Sequence, residues 1–168
     1  MKTLVIHPKD ETTDFLGEIY IHTDWDVINY DIEKNMLYDL IKKYDQVFMM
    51  GHGTPYGLLG FNKFVIDDDF VPVLKNKKCV FIWCYADQFC LRNDLYGLCT
   101  GMIVSEPAEA LYHNIADDID SIEESNALFA LTLSKYINKV EDYEKIKNEY
   151  SLPSNNIVSF NKKNIFWR

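Results

Sequence analysis

Two apolar runs in this chain stop abruptly, one at a histidine and the other at a cysteine. Gln46-Val47-Phe48-Met49-Met50 meets Gly51-His52-Gly53, and Cys79-Val80-Phe81-Ile82-Trp83 meets Cys84. Short apolar runs bounded by turn formers read as buried strands of a parallel sheet. Ligands and chemistry gather at the carboxyl ends of such strands. His52 and Cys84 are therefore expected at one edge, on strands that can be neighbours about 5 Å apart. That is the layout of a thiol–imidazole dyad, in which the imidazole assists formation of the nucleophilic thiolate. Gly53, beside the base, lets a scissile carbonyl approach the backbone, and its N–H suits an oxyanion site.

The elements that must position these groups follow from the pattern along the chain. Thr3 to Ile6 is a β-branched, apolar first strand ended by His7-Pro8. Trp25 to Asn29 alternates as a half-exposed second strand, and Asp31 caps a helix whose apolar face is Ile32, Met36, Leu37, Leu40 and Ile41. After the strand ending at His52, residues 57–66 form a hairpin turning near Phe61-Asn62-Lys63. Asp67-Asp68-Asp69 then introduces a short helix with acids in its first turn. Ala86 to Asn93 is helical, Thr100 to Ser105 is a fifth strand, and Glu106-Pro107 opens another helix. Ser121-Ile122-Glu123-Glu124 has capping-box spacing and starts the longest helix, and a charged helical stretch runs from Val140 to Tyr150. Ile157 to Phe160 and Asn164 to Trp167 flank Asn161-Lys162-Lys163 as a hairpin or edge strands. Strands alternating with helices define an α/β three-layer sandwich with a mostly parallel, doubly wound sheet, a single domain over residues 1–168. In a flavodoxin-type strand order the carboxyl edge collects His7, His52, Cys84 with Tyr85, and Ser105-Glu106.

Composition narrows the partners. The chain of 168 residues is 48% hydrophobic and 14% aromatic, enough for a core that buries about two-thirds of the unfolded surface. A formal charge of −9, with no basic run beyond Lys75-Asn76-Lys77-Lys78, argues against nucleic acid and anionic membranes. No stretch approaches the roughly 20 apolar residues of a membrane span, and the apolar run at the N-terminus is too short for a secretory signal. A cytoplasmic location is expected. Cys79, Cys84, Cys90 and Cys99 then default to thiols, and their spacing matches no Cys-x-x-Cys zinc pattern. No metal or cofactor is expected. His7, His52 and Cys84 could share one edge as a metal-assisted site, but that is a minor alternative, and no GxGxxG follows the first strand for a dinucleotide.

The two strand-to-residue junctions resemble those of the caspase-like cysteine peptidases of clan CD, which include caspases, metacaspases, gingipains, separases and bacterial CHAT-type domains. Their mark is an apolar strand ending in His-Gly, then an apolar strand ending in the nucleophilic cysteine. The matching residues here are Val47 to Gly53 and Val80 to Cys84, and Gly57-Leu58-Leu59 resembles the stretch that follows the His-Gly pair. The whole chain is also similar to short bacterial or phage proteins that carry a GHGTPYGLL-like segment. The resemblance implies a caspase-like fold and a cysteine hydrolase acting on a peptide or protein. His52 would be base, Cys84 nucleophile and Gly53 N–H oxyanion donor. These families place a small residue before the cysteine and a polar one after it. Trp83 and Tyr85 stand there in this chain, a departure that bears on turnover more than on fold.

Substrate preference is read from charge. Glu106, with Ser105 and Tyr85, lies where clan CD folds build part of the substrate pocket. A pocket for acidic side chains needs cationic forks, and the chain has only Arg92 and Arg168, neither well placed. Cleavage after Lys or Arg is the expectation. The alternative is a catalytically silent caspase-like domain binding a small ligand or protein partner at the same crevice, favoured by the bulky Trp83-Cys84-Tyr85 context.

Overall fold

The apolar runs do become the centre of the molecule. The computed structural model describes residues 1–116 and 118–168. In chain order it contains β1 (Thr3–Ile6), β2 (Asp26–Ile28), α1 (Lys34–Ile41), β3 (Gln46–Met50), β4 (Gly53–Thr54), β5 (Gly57–Gly60) and β6 (Lys63–Ile66). There follow α2 (Val71–Leu74), β7 (Lys78–Ile82), α3 (Ala86–Asn93), β8 (Gly97–Thr100), α4 (Pro107–Tyr112), α5 (Ile119–Tyr136), α6 (Tyr143–Glu149), α7 (Asn156–Lys162) and β9 (Ile165–Trp167). A 3-10 turn, Asp14–Ile19, lies between β1 and β2.

Six strands form one sheet in the order β2-β1-β3-β7-β8-β9. The first five are parallel and β9 runs antiparallel to β8. This is the doubly wound, flavodoxin-type order, with β1 between β2 and β3. Because side chains alternate across a strand, each central strand feeds two cores. Leu4, Ile6, Val47, Met49, Phe81 and Trp83 pack with α1, α2 and α3 on one face. Val5, Phe48, Met50, Val80 and Ile82 pack with the 3-10 turn and α5, α6 and α7 on the other. Burial on both faces is why these strands read as continuous apolar runs rather than as alternation. The structure is a three-layer α/β sandwich.

Several local expectations are corrected. Asp31 does not cap α1, whose N-cap position is Glu33; Asp31 instead pairs with Lys63 on the hairpin. Met36 is exposed, leaving Leu37 and Ile41 as the fully buried side chains of α1. The fifth strand is Gly97–Thr100, not Thr100 to Ser105. At Gly101 the chain leaves the sheet, and the Asn161 carboxamide takes over, accepting from the Val104 N–H at 2.7 Å and donating to its carbonyl at 2.8 Å. A side chain thus satisfies the backbone that a neighbouring strand would otherwise pair. α5 starts at Ile119, capped by the Asp118 carboxylate on the Ser121 N–H at 2.7 Å, so Ser121 is inside the helix. Residues 157–160 are helix, not strand. Asn155 caps α7 through the Val158 N–H at 3.1 Å, and Ile157, Val158 and Asn161 supply its buried face.

Candidate active site

β3 and β7 are adjacent and parallel, with Met50 in register with Ile82. His52 and Cys84 each follow two residues beyond that pair, so they leave the same edge side by side. Gly51 bends the chain out of β3 with φ +141, a conformation that favours glycine, while its N–H donates to the Ile82 carbonyl at 3.0 Å. His52 and Cys84 line one narrow crevice of about 30 Å³ with Thr13, Phe15, Leu16, Ile103 and Ser105. His52 also forms part of the wall of a larger groove, about 440 Å³, between the β1 end (Pro8, Lys9, Asp10) and the β5–β6 hairpin.

The hairpin is locked to the sheet by Trp83. A Cβ on Gly53 would lie 2.1 Å from Trp83 Cδ1, and the indole N–H donates to the Thr54 carbonyl at 3.1 Å. Only glycine fits there, because the indole occupies the side-chain space. The bulky residue that precedes Cys84 therefore holds the segment carrying His52 against the strand carrying Cys84. The His52 carbonyl accepts from Leu59 N–H at 2.8 Å. By the alternation of an antiparallel ladder, Gly53 then directs its N–H away from β5.

The two principal groups have different surroundings. The His52 Nε2 is 2.6 Å from Thr12 Oγ1, 3.7 Å from an Asp10 carboxylate oxygen and 3.9 Å from Glu106 Oε1. The Cys84 thiol donates to the Ile103 carbonyl at 3.5 Å. Burial pushes this thiol up to about 11, and the charges of Glu109 and Glu106 act in the same direction. In this state Cys84 is a protonated thiol.

Of the other predicted residues, Ser105 lines the crevice, its hydroxyl donating to Glu109 Oε2 at 3.2 Å. Glu106 precedes α4 as its N-cap residue and approaches His52. Tyr85 faces a neighbouring depression with Met102, Ala108, Glu109, Tyr112 and His113 instead of the crevice. Its backbone is left-handed at φ 66, which places the strain directly after Cys84. His7 does not join the site: it is buried, with Nδ1 2.8 Å from the Tyr20 hydroxyl and Nε2 3.4 Å from Thr13 Oγ1. Among the described residues no group of three or more His, Cys, Asp or Glu side chains is arranged to hold a metal ion. Cys79, Cys90 and Cys99 are buried in the core.

Asp10, Thr12, Ile103 and Glu109 were not legible as site residues from their own positions. The one local signal was Asp10-Glu11-Thr12, an Asx-turn sequence in which the Asp10 carboxylate accepts the Thr12 N–H at 3.0 Å.

No family model and no curated protein matches the chain. Among solved structures it is similar to oxidised flavodoxin 1 from Bacillus cereus, at 15% identity and a TM-score of 0.41, covering 81% of this chain and 99% of that one. The α/β assignment stands on the strand pairings themselves. No helix among the described residues is long and apolar enough to cross a membrane.

Proposed function

We propose that the protein is a caspase-like cysteine hydrolase acting on a peptide or protein, with His52 and Cys84 as its dyad. The observation that carries the reading is that the two side chains line one crevice at the carboxyl edge of adjacent parallel strands. In the proposed reaction the Cys84 S–H proton passes to His52, and the thiolate attacks the scissile carbonyl carbon to form a C–S bond. The resulting oxyanion is held by the Gly53 N–H. His52 returns the proton to the leaving amine as the C–N bond breaks, then deprotonates the water that attacks the acyl carbon, and the C–S bond breaks as that proton passes to sulfur.

A basic side chain is the preferred residue before the cut. Glu106 and Glu109 flank the cysteine, whereas the guanidinium of Arg92 is committed to the Pro55 carbonyl at 2.7 Å and Asp68 at 2.6 Å. The reading places the chain in the cytoplasm, on its four free thiols and its acidic charge.

A second reading, a catalytically silent domain that binds a ligand or protein partner in the crevice, has its own support. The resting thiol is bonded to a carbonyl and raised to about 11, the reverse of an activated nucleophile. Peptidyl electrophiles with Lys, Arg or Asp next to the warhead separate the two. Labelling of Cys84 by the basic probes, lost in His52→Ala and weakened in Glu106→Gln, is the expected outcome. Equal, slow labelling of Cys84 by every probe and unchanged in His52→Ala would leave the silent domain.

A further inference from the structure

The hydroxyl of Thr12 stands 2.6 Å from His52 Nε2 and 2.6 Å from Asp10 Oδ1. A hydroxyl has one proton to donate, and an ionised carboxylate can only accept. Asp10 is held ionised, since the hydroxyl and N–H of Thr12 keep its carboxyl below the usual carboxylate range and the nearby His52 acts the same way. The hydroxyl proton therefore goes to Asp10, and Oγ1 meets the imidazole as an acceptor. Nε2 must then carry a proton, which leaves Nδ1 as the bare nitrogen of the neutral ring.

We propose that Asp10 and Thr12 are positioning residues for His52, holding its proton on Nε2 and leaving Nδ1 as the nitrogen that accepts a proton. The proposal rests on reading His52 as the base of the dyad. When the Cys84 S–H bond breaks, an N–H bond forms at Nδ1 and the ring becomes a cation. Its charge then faces an Asp10 oxygen 3.7 Å from Nε2, through the Thr12 hydroxyl. Asp10 stays ionised throughout, and the proton on Nδ1 is the one later given to the leaving amine. Glu106 approaches Nε2 almost as closely, at 3.9 Å, but no hydroxyl bridges it to the ring. It supplies charge without choosing a tautomer. The signature lies at Asp10, where an amide in place of the carboxylate can donate to Oγ1 and turn the Thr12 proton toward the ring.

The test is ¹⁵N NMR of the His52 ring in the full chain at a pH where the ring is neutral. Asp10 and Thr12 are exposed, so substitution there leaves the core intact. The wild type and Thr12→Ser should show Nε2 protonated. Thr12→Val should give a mixture of tautomers, Asp10→Asn should move the ring toward Nδ1–H, and Glu106→Gln should leave it unchanged. A wild-type ring protonated on Nδ1, or a ring indifferent to both Thr12→Val and Asp10→Asn, overturns the proposal. Electrophile labelling of Cys84 is read in parallel and should slow about tenfold in Thr12→Val but not in Thr12→Ser. Labelling that is fast and His52-dependent with an indifferent tautomer keeps the dyad and removes Asp10 and Thr12. An unreactive Cys84 removes the dyad reading, while the tautomer alone decides whether Asp10 and Thr12 set the ring.

Discussion

The two halves of the crevice are built in opposite ways. The histidine half is open and polar: a side chain 37% exposed, flanked by two glycines, with a hydroxyl and two carboxylates around one ring nitrogen. The cysteine half is more enclosed. Half-buried Cys84 shares the crevice with Ile82, Ile103 and Phe129, and its thiol donates to a backbone carbonyl. Both groups owe their position to the same sheet edge, yet one meets polar side chains and the other is held neutral by burial. Parallel strands supply proximity; the loops that cover their ends set the chemistry. For the dyad to act, Sγ must leave the Ile103 carbonyl.

The largest effect should come from pH acting on the cysteine half. Iodoacetamide labelling of Cys84 in the resting protein should rise with a midpoint near 11, following its thiol, whereas a peptidyl electrophile that fills the crevice should label it near neutrality. A midpoint near 11 with both reagents would erase the functional difference between the two halves. The same shift links to stability. The folded thiol lies above its ordinary value of 9.0, so its contribution is complete below about pH 9 and is lost as pH rises through about 11. Cys84→Ser should flatten the alkaline limb of thermal stability between those values, measured by differential scanning calorimetry.

Next in size is the joint between the halves. Gly53→Ala forces a methyl to within 2.1 Å of the Trp83 ring and 2.8 Å of the Gly57 carbonyl, and should destabilise by about 2 kcal/mol, in the range of overpacking. Denaturant unfolding measures this. An alanine tolerated at full stability would mean that Trp83 does not tie the hairpin to β7. The smallest effect is at Tyr85. Its left-handed backbone costs about 1 kcal/mol for a residue with a Cβ, so Tyr85→Gly should gain stability of that order. If the ring also guides substrate, the same variant should lose more of its wild-type labelling rate with peptidyl probes than with iodoacetamide. Equal proportional losses would confine Tyr85 to the neighbouring depression.

Much of this arrangement was legible in the residues themselves. The uninterrupted apolar runs before His52 and Cys84 read as strands covered on both faces, and the β1–β3–β7 pairing is the one a flavodoxin-type order gives. Ala86–Asn93 was readable as a helix, and residues 57–66 as a hairpin, in which Phe61 and Asn62 take the left-handed turn positions with φ 53 and 59. These are local facts: periodicity, turn chemistry and burial act over a few residues at a time. Residues 157–160 show the limit. Their apolar and β-branched composition suits a strand, but the Asn155 cap and a buried face that includes Asn161 make them helical. Asn161 is polar, and it is core because it pairs with Val104, 57 positions away.

The site divides in the same way. His52, Cys84 and Gly53 announced themselves because strand ends are visible in sequence. Thr12, Asp10 and Ile103 did not, because the loops after β1 and β8 bring Thr12 and Asp10 to His52 and Ile103 to Cys84 only in the folded chain. Trp83 shows the division within a single residue. In the sequence it is a bulky neighbour that crowds a cysteine, and in the fold its indole fills the space a side chain at Gly53 would need. Sequence determined which groups stand at the edge, since the strand pattern is local. Tertiary structure alone decided their burial and partners, since these come from segments far apart in the chain.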